Sequence, residues 1–189
     1  MPRLFTGLAI PDDIADHLST LRGGLSGARW ITADNYHITL RFMGYIDDLT
    51  ARDVFMVLGR VSRTAFPVTI EGIGVFGGDR PRALVAKVQP TPQLMELQAE
   101  QERLMRRVGL APETRKFTPH VTLARLRDTS PFELANYLGM LAHVPPLRFD
   151  AESFEVFSSR ASIGGGPYVI EASYPLIEAH AVMPVRQTA

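Results

Sequence analysis

Two short stretches of this chain carry one alternation. "NYHITLRF", residues 35–42, and "FTPHVTLAR", residues 117–125, each read His-x-Thr-Leu with an aliphatic residue between the polar pair. In an extended chain, side chains point alternately to opposite faces. His37 and Thr39 therefore share one face while Ile38 and Leu40 share the other, and His120 and Thr122 stand likewise against Val121 and Leu123. Any fold for this chain must seat both apolar faces in a core and leave both polar faces open.

The rest of the sequence supplies elements around these two strands. "RLFTGLAI", Arg3 to Ile10, reads as a strand stopped by Pro11. Pro11, Asp12 and Asp13 then have helix-start chemistry. Ile14, Leu18, Leu21 and Leu25 recur at helical spacing, with the glycines at 23, 24 and 27 as the exit and His17 on the charged face. A second helix is predicted over Asp47 to Arg63. Strands over Phe66 to Phe76 and Arg82 to Val88 are predicted to pair as a hairpin around Gly77-Gly78-Asp79. A third helix is expected from Gln93 to Val108, with Leu94, Leu97, Leu104 and Val108 as its stripe, and a fourth over Pro131 to Leu141. Leu147 to Ser159 and Pro167 to Leu176 read as two strands joined by the loop "RASIGGG". Helices alternating with paired strands predict an α+β architecture of mostly antiparallel sheets. The two His-x-Thr-Leu strands lie 83 residues apart (120 − 37) and each is followed by a helix, a loose internal duplication.

Bulk properties narrow the function classes. Twenty basic and twenty acidic side chains cancel, so no global field marks a partner of long duplex nucleic acid. Without cysteine there are no disulfides, no thiolate catalysis and no cysteine-ligated zinc. No segment approaches the roughly 18 apolar residues of a membrane span, and the N-terminal apolar run is too short for a secretory core. These features predict a cytoplasmic protein with no membrane association.

Two imidazoles and two hydroxyls converging across a cleft form a set suited to phosphate-ester chemistry. A neutral imidazole takes a proton from water, and an imidazolium gives one to a leaving oxygen, because histidine titrates near neutrality. Hydroxyls hold non-bridging phosphate oxygens. Neither histidine has the nearby third ligand that a zinc site requires, so no metal is expected. No Gly-x-Ser-x-Gly elbow is present, and neither "GGLSGARW" nor "SIGGGPY" fits a phosphate-loop or dinucleotide fingerprint. Arg41 falls by alternation on the cleft face with His37, and is a candidate phosphate contact or a solvated residue. Arg125 falls on the face of Val121 and Leu123 unless the strand bulges. A surface or inter-lobe ion pair is as good a reading for it as a substrate contact. Trp30, Tyr36, Phe42 and Phe117 are candidates for base stacking, with core packing the commoner fate of such residues. His143 and His180 carry no motif.

The paired motif resembles that of the two-histidine phosphoesterases, specifically the RNA 2′,3′-cyclic phosphodiesterases historically called 2′-5′ RNA ligases. "RLFTGLAIPDDI", "ARWITADNYHITLRFMG", "GIGVFGGDRPRALVAKV", "RKFTPHVTLARL" and "SSRASIGGGPYVIEASYPL" resemble that family's segments in order along nearly the whole chain. The resemblance implies one bilobal domain over residues 1–189, with an antiparallel sheet flanked by helices in each lobe and the His-x-Thr-Leu strands lining a central cleft. It implies hydrolysis of a 2′,3′-cyclic phosphate to a 2′-phosphomonoester. His120 would be the proton acceptor, His37 the proton donor, and Thr39 and Thr122 the phosphate-binding hydroxyls. The expected substrates are RNA or oligonucleotide 3′ ends with a cyclic phosphate and small cyclic nucleotides. No cofactor and no obligate protein partner are expected. The same acid and base would also support 2′-5′ ligation by reversal, and a non-catalytic RNA-end binding module is the alternative of a different class.

Overall fold

A computed structural model of the chain describes residues 3–141, 143–159 and 166–178. Its α+β architecture is that expected from the order of elements. The strands are β1 (Arg3–Ala9), β2 (Ala28–Trp30), β3 (His37–Tyr45), β4 (Phe66–Phe76), β5 (Ala83–Val88), β6 (His120–Leu126), β7 (Leu147–Ala151), β8 (Ser153–Ser159) and β9 (Tyr168–Pro175). The helices are α1 (Asp12–Ser19), α2 (Asp48–Leu58), α3 (Pro92–Arg107) and α4 (Pro131–Met140). Every strand pairing is antiparallel.

Local chemistry accounts for the helix starts. The Asp47 carboxylate accepts from the N–H groups of Leu49 and Thr50 at 3.0 and 2.9 Å, satisfying two orphan donors of α2. Prolines open α3 and α4, where a missing N–H costs nothing. Helix α1 is shorter than its apolar spacing predicts. Ser19 and Thr20 hydroxyls donate to the carbonyls of Asp16 and His17, both at 2.7 Å, and the helix ends there. Leu21 and Leu25 still pack into the core from the following loop.

The strands run in the order β7-β4-β5-β6-β3-β1-β8-β9, with β2 added alongside β6. The order reads as two four-stranded halves, β7-β4-β5-β6 and β3-β1-β8-β9, joined through the pair Ile38 and Val121. Helix α3 lies against β3 and β4, one strand from each half, with α2 packed on it, while Tyr137 of α4 packs on Trp30 of β2 and donates its hydroxyl to the Leu21 carbonyl after α1. Ile38, Leu40, Val121 and Leu123 are at most 3% exposed, so the helices cover the apolar faces and the histidine faces stay open.

One strand expectation needs correcting, and two short elements are additions. Leu147 to Ser159 is not one strand: it breaks at Glu152, and its pieces pair at opposite ends of the sheet, β7 with β4 and β8 with β1 and β9. Sequence alone gave no sign of β2 or of the one-turn helix Ala33–Asn35 before His37. The anticipated hairpin of β4 with β5 is present. The loop "RASIGGG" lies outside the described residues except for Gly166, as does His180.

A polar cluster ties α3 to β1 and β3 behind the cleft. Arg41 is 5% exposed; its guanidinium pairs with Glu102 of α3 and donates to the carbonyls of Phe42 and Ala111. Fully buried Thr6 donates to the side-chain oxygen of Gln101. Removing one partner of a buried ion pair strands the other charge. Arg41→Ala should therefore cost about 3 kcal/mol in chemical denaturation; a cost below about 1 kcal/mol would show the pair to be energetically a surface one.

Candidate active site

The two His-x-Thr-Leu strands end in the same irregularity. Along β3, Thr6 of β1 faces Arg41 but the next residue, Gly7, faces Thr39, so Leu40 is an extra residue in the strand. Along β6, Leu84 of β5 faces Ala124 and Val85 faces Thr122, leaving Leu123 as the extra residue. A bulge of this kind reverses the facing of everything after it. The reversal buries Arg41 and Ala124 and turns Phe42 and Arg125 to the open face.

The expectation that Arg41 lies on the cleft face is thus overturned: it sits behind the strand on Glu102. Strict alternation placed Arg125 away from His120, and the bulge at Leu123 brings it round. A cleft of ≈ 180 Å³ is lined by His37, Thr39 and Phe42 from β3 and by His120, Thr122 and Arg125 from β6. Arg3, Phe5, Asn35 and Tyr168 close its sides. Since Ile38 and Val121 pair antiparallel, the histidine of each strand lies beside the threonine of the other.

Both imidazoles are held in one way. Nδ1 of His37 lies 2.9 Å from the Asn35 carbonyl, and Nδ1 of His120 lies 2.7 Å from the Thr118 carbonyl, each two residues upstream. A carbonyl only accepts, so each Nδ1 carries the hydrogen and each Nε2 is left for proton transfer. The surroundings differ more. Phe5 and Phe157 lie against the His37 ring with centroids at 4.8 and 5.5 Å, and Tyr168 meets it edge-on at 5.0 Å. His120 has an edge-on contact with Phe76 at 4.6 Å.

That packing sets the titration. Burial is the first cause that lowers the His37 pKa to about 4, with the charges of His120 and Arg125 adding to it against the Asn35 carbonyl, which opposes it. His120 is lowered too, by burial and then by Arg125, against the pull of the Thr118 carbonyl. Both shifts favour the neutral imidazole.

Sequence reasoning missed Phe5, Phe157 and Tyr168, which come from β1, β8 and β9 and carry no motif. Asn35 was quoted within the first motif, but its bond could not be read there: its side-chain oxygen accepts from the Tyr168 N–H at 2.8 Å, tying the approach to β3 to the start of β9. Of the four aromatics considered for stacking, Phe42 lines the cleft, with the Arg3 guanidinium 4.9 Å from its centroid. Tyr36 is buried, and Trp30 and Phe117 pack against the core. His17 and His143 are exposed. Among the described residues, no three histidine, aspartate or glutamate side chains come together in a way that would hold a metal ion.

Residues 10–162 match the family model described as the 2′-5′ RNA ligase superfamily. The chain belongs to that superfamily. Among similar proteins, the RNA 2′,3′-cyclic phosphodiesterase of Bacillus subtilis is 28% identical over 168 residues, 86% of each chain. Its namesake in Thermotoga maritima is 28% identical over 149 residues, 76% of this chain and 77% of that one. The namesake in Aeropyrum pernix is 35% identical over 96 residues, a match spanning about half of either protein (50% and 54%). A crystal structure of Escherichia coli LigT complexed with 3′-AMP superposes with a TM-score of 0.73 at 23% identity, over 93% of this chain and 99% of that one. TT0787 of Thermus thermophilus gives 0.77 at 22% identity, over 94% and 100%. At such identities these two structures speak to the fold alone.

The depressed histidines of this superfamily member make anion binding pH-dependent. An oxyanion beside them raises their pKa values, so binding draws in protons, and affinity is highest below the raised value and lost as pH rises through it. Sulfate, which does not itself titrate in this range, should bind up to about tenfold more tightly per pH unit lowered for each imidazole that gains a proton. Calorimetry in buffers of different ionisation heat would detect the uptake; flat affinity from pH 8 to 5 would show that neither imidazole meets the anion.

Proposed function

We propose that this chain hydrolyses the 2′,3′-cyclic phosphate of RNA 3′ ends, or of small cyclic nucleotides, to a 2′-phosphomonoester without a metal ion. The observation that carries this reading is the matched tethering of the two imidazoles, which gives one cleft two Nε2 atoms and, among the described residues, nothing else able to exchange protons so readily near neutrality. The names of the Bacillus and Thermotoga relatives support the substrate class.

In the proposed reaction the anionic cyclic phosphate enters between the imidazoles and raises both pKa values, so that one is protonated. Thr39 and Thr122 donate to the non-bridging oxygens, and Arg125 offsets their charge. Nε2 of His120 accepts a proton from water as its oxygen bonds to phosphorus. The bond from phosphorus to the 3′ oxygen breaks, and Nε2–H of His37 gives that oxygen its proton. The phosphate stays on the 2′ oxygen. For His37 to act as the donor, the bound anion must protonate it in spite of the burial that lowers its pKa.

Incubation with a 2′,3′-cyclic nucleotide in excess chelator tests the class of reaction and its metal independence together. Product should form; none, with or without added divalent ions, would leave a binding module as the reading. His37→Ala and His120→Ala should each lower turnover by on the order of 10²–10⁴-fold with melting unchanged. Thr39→Val and Thr122→Val should lose less, each removing one donor. An activated aryl ester of the phosphate assigns the roles, because a good leaving group has less need of the acid. His37→Ala should be partly rescued on it and His120→Ala should not; rescue of the opposite variant would exchange the two roles.

A further inference from the structure

Asn35 closes the one-turn helix Ala33–Asn35, where its N–H donates to the Thr32 carbonyl at 2.9 Å. Its side-chain nitrogen donates to the Thr32 hydroxyl at 2.6 Å, and its side-chain oxygen accepts from the Tyr168 N–H at 2.8 Å. One amide thus bridges the turn before β3 and the first residue of β9. The backbone at Gly166 lies close over that amide: a Cβ added there would collide with it, and the φ of 91° already favours glycine. Glycine at this position leaves the bridge its room.

Two of the contacts that orient His37 pass through this bridge. The Asn35 carbonyl accepts from Nδ1, and the ring of Tyr168, whose N–H the amide holds, meets the imidazole edge-on. Phe5 and Phe157 also touch the imidazole, but apolar rings do not distinguish one tautomer from the other. Burial, His120 and Arg125 lower the His37 pKa and the Asn35 carbonyl opposes them, so an imidazolium at this position leans on that acceptor. We propose that Asn35 is a positioning residue for the proton donor: the bridge made by its side chain fixes the carbonyl that keeps a hydrogen on Nδ1, and so aims Nε2 of His37 at the leaving 3′ oxygen. The proposal rests on the hydrolytic reading above and deepens it.

Asn35→Ala removes the bridge and leaves the carbonyl. Its kcat on a 2′,3′-cyclic nucleotide should fall about tenfold with KM within about twofold of the parent's, a smaller loss than that of the imidazole itself. On the activated aryl ester, which has less need of an acid, the loss should shrink as it does for His37→Ala. In a His37→Ala background, Asn35→Ala should cost no more than about twofold further on the cyclic nucleotide, because it acts through the ring that is gone. Ring-nitrogen NMR shifts, at a pH where His37 is neutral, should show its hydrogen shared between Nδ1 and Nε2 in Asn35→Ala, with His120 unchanged. Thr32→Val removes one exposed acceptor of the bridge and should give the same pattern in smaller degree, which keeps the test open should Asn35→Ala fail to fold. If the parent turns over neither substrate, the hydrolytic reading fails and the proposal with it. If the parent is active, an equal loss on both substrates, an additive loss in the absence of His37, or an unchanged His37 tautomer would overturn the proposal alone.

Discussion

The pairing of Ile38 with Val121 is the contact on which the site depends. These are the middle residues of the two His-x-Thr-Leu segments, both fully buried, and through them the two halves of the sheet join. Each is flanked by the histidine and threonine that line the cleft. A one-residue slip of either strand would send its histidine into the core and its leucine into the cleft. Apolar packing of helices and sheet thus fixes the register, and the register fixes which groups meet.

From that pair the two strands run outward in opposite directions and bulge at corresponding leucines. The bulges make the two ends of the cleft chemically unlike. One turns in an aromatic ring, Phe42, and the other a cation, Arg125; the residues they bury are Arg41 and Ala124. The buried guanidinium needs acceptors, and α3 supplies Glu102 while the neighbouring backbone supplies two carbonyls. An arginine one position earlier in the strand is a structural tie, and one at the bulge-shifted position is part of the site.

That distinction marks where sequence ceases to be legible. The alternation of His37 with Ile38 and of His120 with Val121 is written in adjacent residues, so both strands, their polar faces and the convergent histidines could be read directly. The bulges could not, because they arise in the register against β1 and β5, which lie far away in the chain. Arg41 was misplaced for that reason, and Arg125 was left undecided. Glu152 illustrates the same limit. The run from Leu147 to Ser159 has no Gly or Pro to interrupt it, and what divides it is that β4 and β1 claim its two pieces from opposite ends of the sheet. The ring contacts of His37 fall beyond sequence for a related reason, since Phe5, Phe157 and Tyr168 are ordinary strand residues until three strands are laid side by side.

Charge is arranged locally in a chain whose formal net charge is zero. Arg3 and Arg125 line the cleft between the histidines. On the other side of His37, a second cavity of ≈ 480 Å³ shares Asn35, His37 and Tyr168 with the cleft but is lined by Asp12, Asp16 and Asp34. A phosphate on that side would meet carboxylates, and one on the cleft side meets guanidinium groups and hydroxyls. At separations within a Debye length, about 8 Å in physiological salt, such a contrast is not screened away. The single imidazole standing between the two cavities is the one packed against three aromatic rings, so it meets an anion with little competing water. The contrast across His37 would favour an anion approaching from the cleft side, and the same apolar packing that lowers its pKa would strengthen its interaction with an anion placed there.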